Sequence, residues 1–430
     1  MKVVIVGAGY VGLTLGIALA EKEHEVAFVE RDEERRKYIN ERKAFFFECG
    51  IDERFKLAFE GSVPICFRNF EDLSSASQDS RSPVIWIITL GTPLLPIINT
   101  PDFGPIQSVY AEILAHCDLM RDVVILRSTV AIGTTNRIWN LNEQFKNLAF
   151  CPERTLEGNA LQELATLPTI FAATSPIARE LTINLFSSLN PDVIEVSSLE
   201  TAEAVKLVCN AYRDYSFAFA NLLSEVCMKW NIDFSEMKHA AVEGYGRSSL
   251  AQPGPVGGPC LEKDTHILQA ALSPSTSSFM VGAREYNNSY TLRMIHHWIA
   301  DKNLQPSSRI LIAGAAFKGR PPTSDLRGSH VFAVVGYLLS SGVSCDAITV
   351  FDPHCDDSVK GVPIIKLFER LQPNFDFAVI LNDTDFFATE PFFNLLVRSN
   401  AQVLSFWQFP WMKNRSPGAR WHCVAGYHIR

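Results

Sequence analysis

A glycine-rich turn near the amino terminus constrains the fold more than any other feature of the sequence. Gly7-Ala8-Gly9-Tyr10-Val11-Gly12 has the pattern G-x-G-x-x-G; it follows the apolar run Val3 to Val6 and opens a helical pattern over Tyr10 to Ala20. A second strand-like run, Val26 to Val29, comes next. Three glycines placed in this way permit a tight turn, close approach of a pyrophosphate and tight helix packing. The pattern predicts a βαβ dinucleotide-binding unit, with phosphate at the helix amino terminus.

An acidic residue at the end of the second strand refines the choice of dinucleotide. Glu30 stands where a carboxylate accepts hydrogen bonds from the adenosine ribose hydroxyls and repels a 2′-phosphate. The cofactor is therefore predicted to be NAD rather than NADP, although the neighbouring Arg31 weakens this preference. Asp32 could share the ribose contact, or it could belong to the start of a solvated, charged helix.

The remaining apolar runs indicate an α/β protein. Val84 to Ile88, Val123 to Leu126 and Ile170 to Ala173 are candidates for buried parallel strands. A first domain is therefore predicted over residues 1–198. Apolar positions recur at helical spacing from Leu199 to Trp230, which predicts one long helix.

The second half of the chain repeats the α/β pattern. Gln252 to Cys260 is rich in proline and glycine and is predicted to be a loop, as is the polar segment Ser273 to Ser278. Strand-like runs resume at Arg309 to Ala313. We predict a helical domain over residues 199–303 that carries the cysteine loop, and a second Rossmann-like domain over residues 304–430.

Composition excludes several classes of protein. A chain of 430 residues with 47% hydrophobic residues can bury a large core, and its net charge of −8 provides no basic field for nucleic acid. Ten scattered cysteines without a CxxC pair favour a reduced, cytoplasmic protein, and no metal site is predicted. Val3 to Ala20 could be read as a signal peptide, but its glycines and soluble α/β context argue against that and against a membrane span.

Three groups of polar residues suggest chemistry. Cys260 follows Gly257-Gly258-Pro259 and precedes Lys263 and Asp264, so a thiol would lie beside a cation and a carboxylate, although most cysteines are buried filler. Lys206 and Asn210 share one helix face and could donate hydrogen bonds to an oxyanion, or could simply be solvated. Glu153 follows a strand end, where doubly wound folds collect functional groups.

Taken together, these motifs resemble the UDP-glucose/GDP-mannose dehydrogenases, the nucleotide-sugar 6-dehydrogenases, across nearly the whole chain. The resemblance rests on ordered motifs: the glycine fingerprint, Gly91-Thr92-Pro93, Ser128-Thr129-Val130 with Gly133-Thr134-Thr135, Pro152-Glu153-Arg154 with Gly158, Lys206 with Asn210, Gly257 to Asp264, Gly314 to Lys318, Asp325-Leu326-Arg327 and Phe351-Asp352-Pro353.

The resemblance implies a fold and a reaction. The fold would be two Rossmann-like doubly wound domains joined by a long central helix with a helical dimerisation region, the first domain holding NAD and the last the UDP-sugar. The C6 alcohol would be oxidised twice, through a Cys260 thiohemiacetal and thioester, and water would release the acid. Two NAD⁺ would be consumed per sugar.

The resemblance also implies roles for individual residues. Cys260 would be the nucleophile, Lys206 and Asn210 would stabilise the oxyanion, Asp264 would activate water or the thiol, and Glu153 and Thr129 would be the general base and water holder. Cofactor contacts would come from Gly7, Gly9, Tyr10, Val11, Gly12, Glu30, Asp32, Thr92, Pro93, Lys263 and Arg327. Substrate contacts would come from Glu153, Arg154, Lys206, Asn210, Gly257, Phe317 and Lys318, and from Arg247 reaching the substrate of a neighbouring subunit.

Several departures leave the substrate open. Pro259 before the cysteine and Arg154 after Pro-Glu favour the UDP-N-acetylhexosamine (UDP-ManNAc type) branch, whereas Lys263 is often missing from it. UDP-glucose and GDP-mannose remain alternatives. The tail Ser405 to Phe409 also departs from the family pattern, which makes substrate closure by the last domain less certain.

Two other readings remain open. A β-hydroxyacid dehydrogenase also combines a glycine fingerprint with a Lys-x-x-x-Asn pair, but it performs one oxidation without a cysteine. A non-catalytic sensor of NAD or nucleotide sugar would keep the fold and lose turnover. The presence of Cys260 and the second α/β block favour the nucleotide-sugar enzyme, with a role in making polysaccharide precursors.

Overall fold

Two compact units make up the chain. The computed structural model describes residues 1–60, 64–76, 82–93, 101–142, 144–272, 274–413 and 421–424. One unit comprises Met1–Cys209 with His266–Ser273, and the other comprises Asn210–Thr265 with Pro274–Arg430. Across the described ranges, no helix has the length and apolar character needed to span a membrane.

The first unit is built on a sheet of eight strands among its described residues. They are β1 Lys2–Val6, β2 Glu25–Val29, β3 Cys66–Phe67, β4 Val84–Ile88, β5 Val123–Leu126, β6 Leu148–Phe150, β7 Thr169–Ala173 and β8 Val193–Glu195. Its helices are α1 Tyr10–Ala20, α2 Glu33–Asn40, α3 Ile51–Ala58, α4 Phe70–Ala76, α5 Gly104–His116, α6 Thr134–Trp139, α7 Ala160–Glu163 and α8 Pro176–Ser187. The order is β3-β2-β1-β4-β5-β6-β7-β8, and only the β6–β7 pair is antiparallel among the described pairings.

This order positions a crevice. From β1 the chain adds β2 and β3 on one side, and from β4 it adds β5 to β8 on the other, so the direction of winding reverses between β1 and β4. Ligands of such sheets bind at the carboxyl ends of the strands beside this point. The central strands are apolar on both faces because helices cover the sheet on each side. Close packing of α1 depends on Gly16, where a methyl group would lie 2.3 Å from the ring of Phe28.

Four helices follow the first sheet in the sequence. They are α9 Leu199–Trp230, α10 Phe234–Val242, α11 Pro259–Gln269 and α12 Pro274–Ile299. The predicted long helix over Leu199 to Trp230 is confirmed. Cys260, expected in a loop, lies instead in the first turn of α11. The polar loop expected at Ser273 to Ser278 is wrong from residue 274 onward, because Pro274 begins α12 as proline often does at the first helical position; Ser273 lies outside the described residues.

The second unit contains a sheet of seven strands among its described residues. They are β9 Ile310–Ala313, β10 Ile348–Phe351, β11 Ser358–Val359, β12 Val362–Ile365, β13 Phe377–Ile380, β14 Gln402–Ser405 and β15 Trp421–Cys423. Helices α13 Val331–Ser340, α14 Glu390–Ser399 and α15 Pro410–Lys413 accompany it. The order is β11-β12-β10-β9-β13-β14-β15, with β11 antiparallel to β12.

Leaving out β11, the second sheet repeats the strand order of the first six strands of the first unit. The predicted fold class, two Rossmann-like parallel sheets and a long central helix, is confirmed. The domain boundaries after residues 198 and 303 stay predictions.

Candidate active site

The glycine turn and the acid after β2 form one hydrogen-bonded unit. The Glu30 carboxylate accepts the backbone N–H of Ala8 through Oε2 and that of Asp32 through Oε1, both at 3.0 Å. Asp32 itself caps α2 by accepting the N–H of Arg35 at 2.9 Å. Glu30 is therefore held at the carboxyl end of β2, beside the turn, whereas the Asp32 side chain is committed to the cap.

The glycines satisfy the steric requirements of a bound dinucleotide. A methyl group on Gly12 would lie 2.2 Å from the carbonyl oxygen of Gly7, so the first turn of α1 could not approach β1 as it does. Gly9 has no atom within 4 Å of where its Cβ would be, which leaves space against its backbone, and it provides no side-chain cap for α1. Backbone amides at an uncapped helix amino terminus bind phosphate. The residues present thus fit NAD.

Tyr10 joins the fingerprint helix to two loops. Its hydroxyl donates to Glu48 and accepts the N–H of Gly158 at 2.7 Å, while the other Glu48 oxygen accepts the N–H of Leu161 at 3.2 Å. Burial, then the hydrogen bond and negative charge of Glu48, hold the pKa of Tyr10 far above its usual value, so the phenol stays neutral. Sequence reasoning missed Glu48, which has no motif around it.

Thr92 and Thr129 come from the loops after β4 and β5 and meet at the same edge. The buried Thr92 hydroxyl donates to the carbonyl of Thr129 at 2.8 Å. Pro93 is tied down through its carbonyl, which accepts the N–H of Asp102 at 3.0 Å. The two predicted residues after these strands are therefore brought together.

Glu153 is paired with a residue that the sequence motifs did not identify. Arg127 donates to its Oε2 from Nη2 at 2.7 Å and from Nε at 3.2 Å, while Oε1 accepts the N–H groups of Arg154 and Thr155, each at 2.7 Å. Burial acts to raise the pKa of Glu153, but the Arg127 charge and the Thr155 hydrogen bonds outweigh it, so the pKa is lowered. The only available sequence signal for Arg127 was a basic residue directly after the apolar strand β5.

A second missed carboxylate anchors the start of the long helix. Glu203 on α9 accepts the N–H of Gly133 at 2.5 Å and both the N–H and hydroxyl of Thr135, at 2.7 and 2.6 Å. Burial raises its pKa, against the lowering effect of these donors. The buried Lys206 lies three residues further along, so Glu203 fixes the helix turn that carries it.

The turn before Cys260 is shaped by its two glycines. A methyl group on Gly257 would lie 2.0 Å from the carbonyl oxygen of Gly328, and Gly258 has a φ of +99° with the Phe317 ring 2.7 Å from its missing Cβ. Pro259 then begins α11, and Cys260 in its first turn is exposed. The partial positive charge at a helix amino terminus stabilises an anion there, which suits a reactive thiolate.

Asp264, one turn after Cys260, is the centre of a polar cluster. Its carboxylate is fully buried and accepts Asn210 Nδ2 at 2.6 Å through Oδ2 and Lys263 Nζ at 3.0 Å through Oδ1. Three predicted site residues are thus brought together on the second unit. Because the carboxylate is bound on both oxygens, it lies in a fixed orientation.

The other predicted residues of the second unit are more dispersed. Lys318 Nζ lies 5.6 Å from the centre of the Phe317 ring, and the guanidinium of Arg247 lies 4.8 Å from that of Tyr245. Arg247 and Arg327 are exposed, and Arg327 forms a bidentate pair with Asp325. Phe317 packs against Gly258 in the turn that precedes Cys260.

Comparison with protein-family models gives two matches. The NAD-binding domain of the UDP-glucose/GDP-mannose dehydrogenase family matches residues 1–190, and the central domain of the same family matches residues 200–289. Together the two matches cover well over half of the chain.

Comparison with individual proteins gives relatives along most of the chain. A UDP-N-acetyl-D-mannosamine dehydrogenase of Methanococcus maripaludis is 27% identical over 90% of this chain and 87% of its own length. An NDP-N-acetyl-D-galactosaminuronic acid dehydrogenase of Ralstonia solanacearum is 27% identical over 88% of this chain and 90% of its own. The solved structure of UDP-D-ManNAc dehydrogenase from Pyrococcus horikoshii aligns with a TM-score of 0.83 at 24% identity, covering 99% of each chain. At that identity the structural match shows the fold.

Proposed function

Because the chain belongs to the UDP-glucose/GDP-mannose dehydrogenase family, we propose that it is an NAD-dependent nucleotide-sugar 6-dehydrogenase that oxidises the sugar C6 alcohol to a carboxylate. The observation that carries the proposal is the first turn of α11. There an exposed thiol, Cys260, stands one turn before a buried carboxylate, Asp264, that is held by an amide and an ammonium group. A single alcohol oxidation has no use for such a thiol.

The chemistry divides into oxidation and capture. The C6 alcohol first loses a hydride and its hydroxyl proton to become the aldehyde, and NAD⁺, when bound at the glycine turn, would accept that hydride. A second hydride leaves in the later step, so two NAD⁺ are consumed per sugar. The Cys260 sulfur adds to the C6 aldehyde, forming a C–S bond while the carbonyl oxygen takes up a proton. Loss of a hydride and that proton leaves the thioester, and water then breaks the C–S bond to release the acid and the thiol.

The other proposed roles rest on the contacts. Asn210 and Lys206, one turn apart on α9, stabilise the oxyanion as hydrogen-bond donors, and Asp264 orients Asn210. Glu153 already accepts four hydrogen bonds and its pKa is lowered, so these contacts support a positioning role for it better than that of general base. We assign it to holding the loop after β6.

We propose an N-acetylated UDP-hexosamine, of the UDP-ManNAc type, as substrate. The support is the Pro259-Cys260 and Glu153-Arg154 pairs, together with relatives named for N-acetylmannosamine and N-acetylgalactosaminuronic acid. Lys263 is the opposing observation, so UDP-glucose is the second candidate and GDP-mannose the third. The product would serve polysaccharide synthesis, and the ten free cysteines support a reducing, cytoplasmic setting.

A homodimer through α9 belongs to the same proposal. Large side chains that are 40% to 70% exposed recur every three or four residues along the helix: Val208, Tyr212, Tyr215, Phe219, Leu222, Val226 and Trp230. An apolar stripe of this length on a soluble helix favours a partner helix. Sedimentation of wild type and Tyr212→Glu tests it: the wild type is expected to be dimeric and the variant to dissociate, and a monomeric wild type would overturn the dimer.

The test of the function is NADH formation by purified protein with UDP-ManNAc, UDP-N-acetylglucosamine, UDP-glucose and GDP-mannose in parallel. We expect two NADH per UDP-ManNAc and a uronic acid product, and expect Cys260→Ser to lose acid formation. One NADH per sugar, unaffected by Cys260→Ser, would favour a single oxidation of the β-hydroxyacid type. Binding of NAD without turnover on any of the four would favour the sensor.

A further inference from the structure

A buried polar cluster underlies the turn that presents Cys260, and neither the sequence motifs nor the proposed roles include it. We call it the loop anchor: Asp214 and Asn221 on α9, with Arg284 and Asn287 on α12. The four side chains are between 0% and 1% exposed, and all belong to the second unit. Charged side chains are rarely buried so completely, so the position of this ion pair calls for a physical reason.

Arg284 ties a carboxylate to the backbone before Cys260. Its guanidinium donates to Asp214 Oδ1 at 2.7 Å, to the carbonyl of Val256 at 2.7 Å and to Asn288 at 2.9 Å. The Val256 carbonyl also accepts His330 Nε2, at 3.1 Å. Because a carbonyl only accepts, Nε2 carries the proton, and Val256 is held from two directions.

The two asparagines hold the same segment one step earlier. Asn221 binds both polar groups of Gly254, donating to its carbonyl at 3.1 Å and accepting its N–H at 2.8 Å. Asn287 links this contact to the ion pair: it accepts from Asn221 at 3.0 Å and donates to Asp214 Oδ1 at 2.8 Å. The backbone from residue 254 to 256 is therefore fixed to two helices.

The anchor also reaches the far side of the nucleophile. Thr265, directly after Asp264 on α11, donates its hydroxyl to Asp214 Oδ2 at 3.3 Å. The Asp214 carboxylate thus holds the turn before Cys260 through Arg284 and the helix after Cys260 through Thr265. Cys260 itself is exposed, and the anchor holds the backbone on both sides of the thiol.

Stability alone explains this arrangement poorly. Desolvation of a buried ion pair costs several kcal/mol per ion, and well-packed apolar replacements are often as stable or more stable. The rate of a covalent reaction, by contrast, depends strongly on the position of the nucleophile, since a displacement of about 1 Å lowers a rate by about a hundredfold. The loop anchor lies on both sides of Cys260 in the sequence, as expected for a cluster that fixes the position of this nucleophile.

We propose that the loop anchor is a positioning device for the covalent step, with Asp214 and Arg284 as positioning residues that set the Cys260 sulfur against the sugar carbon. This inference rests on the proposed function for its substrate, but its structural core, control of the Cys260 thiol, does not. Replacement of the pair should therefore lower the rate of the folded enzyme.

The same two helices supply a matched control. Glu225 on α9 and Arg293 on α12 form an ion pair whose N–O distance is also 2.7 Å, with both side chains about one third exposed. Glu225 accepts from the Tyr286 hydroxyl and has no contact with the cysteine turn among the hydrogen bonds of the described residues. Glu225→Gln weakens an α9–α12 pair without touching the anchor.

The experiment compares Asp214→Asn, the double variant Asp214→Leu/Arg284→Met and Glu225→Gln in the full-length protein. We expect kcat on the best nucleotide sugar to fall about a hundredfold in both anchor variants, with KM and NAD⁺ affinity little changed. The double variant also removes the partner of the Asn287 and Thr265 donors, so its stability to urea is measured alongside and kcat is compared for the folded protein. A double variant with wild-type stability and wild-type kcat would overturn the inference.

A second readout separates this inference from the proposed function. Iodoacetamide labelling, quantified by mass spectrometry, follows Cys260 against the exposed Cys49 and Cys345 in the same molecules and needs no substrate. We expect Asp214→Asn to slow labelling of Cys260 alone and Glu225→Gln to leave all three unchanged. If Cys260 labelling is unchanged in Asp214→Asn, the anchor inference is wrong even for an active enzyme. If it changes in a protein inactive on every sugar, the anchor holds and the proposed function fails.

Discussion

The two sheets share a strand order but differ in the segment that comes after their first strand. In the first unit α1 begins at Tyr10, directly after the glycine turn that ends β1. In the second unit β9 ends at Ala313 and α13 does not begin until Val331, so the segment Gly314 to His330 is inserted where the glycine turn stands in the first. In the first unit the helix therefore begins at the end of the strand, whereas in the second unit a long segment separates the strand from the helix.

The acids after the second strands show the same contrast. Glu30 accepts one N–H from the glycine turn, whereas the fully buried Asp352 accepts those of Ala315 at 2.8 Å and Ala316 at 3.1 Å and receives Asn382 at 3.4 Å. The first amide of α13 is also used, because Val331 donates to Ser329 Oγ at 3.2 Å. Strand order alone therefore does not make a dinucleotide site; the loops do. We infer a single NAD site, on the first unit.

The largest effect is expected at Gly12. Gly12→Ala forces a methyl group against the Gly7 carbonyl at 2.2 Å, so the turn must open. NAD⁺ affinity should fall at least about a hundredfold, equivalent to about 3 kcal/mol, as measured by calorimetry. Gly282→Ala on α12, where nothing lies within 4 Å of the added methyl, is the control. Unchanged NAD⁺ binding by Gly12→Ala would show that the glycine turn of the first unit is not the NAD⁺ site.

The next effect is a pH dependence that arises from His330 in the second unit. Burial, then the charge of nearby Arg284, lowers the pKa of His330 to about 4 from 6.5, although its hydrogen bond to Val256 opposes this. The unfolded chain binds a proton near pH 6.5 and the folded chain does not, so this stability is present above pH 6.5 and is lost as the pH falls toward 4, by about 3 kcal/mol in all.

Urea unfolding at several pH values measures this loss. His330→Gln, whose amide can still donate to the Val256 carbonyl, should show a shallower decline between pH 6.5 and 4 than wild type. Parallel declines in the two proteins would mean that other groups cause the acid sensitivity.

A smaller effect is expected at Asp352, because Asn keeps an oxygen that can still accept the N–H groups of Ala315 and Ala316 and only the contribution of the charge is lost. Asp352→Asn replaces a charged acceptor of two backbone N–H groups in the inserted segment by a neutral one, which weakens each hydrogen bond by about 1 kcal/mol. We expect the melting temperature to fall while NAD⁺ affinity stays at the wild-type value. A large loss of NAD⁺ binding would show that the second sheet takes part in the cofactor site.

The smallest effect is expected at Glu30. Glu30→Gln keeps an oxygen for the Ala8 N–H but weakens the acceptor for ribose, so NAD⁺ affinity should fall about tenfold, or about 1.4 kcal/mol. NADP⁺ affinity should rise relative to NAD⁺, because the repulsion of a 2′-phosphate is relieved. An unchanged ratio of the two affinities would argue against Glu30 as the ribose contact.

Sequence predicted the local elements well. Val84 to Ile88, Val123 to Leu126 and the helix from Leu199 to Trp230 match the structure residue for residue, because their periodicity follows from burial. Pro274 shows the limit: serine and proline read as a loop, yet proline is favoured at a helix start. Placing Cys260 in a loop failed for the same reason, since Pro259 opens α11.

Site residues that belong to a sequence motif could be predicted, whereas contacts between segments that are distant in the sequence could not. Gly7 to Gly12 and Glu30 are separated by fixed secondary structure, so their meeting follows from local rules. Arg127 and Glu153 meet across neighbouring strands, and Asp214 and Arg284 across two helices, so neither pair leaves a pattern in the sequence. Glu153 is an example. The family resemblance implied a general base at this position, whereas the buried contact with Arg127 indicates a carboxylate that is held in its charged form.

The most direct test of a single cofactor site is the number of NAD⁺ molecules bound per chain, measured by calorimetry on the wild-type protein and on Gly12→Ala. We predict one site per chain in the wild type and a loss of that site in the variant, since the first sheet has a helix that begins at a glycine turn directly after its first strand, whereas a 17-residue segment separates β9 from α13. Two sites in the wild type, or one site that survives in Gly12→Ala with unchanged affinity, would contradict this prediction.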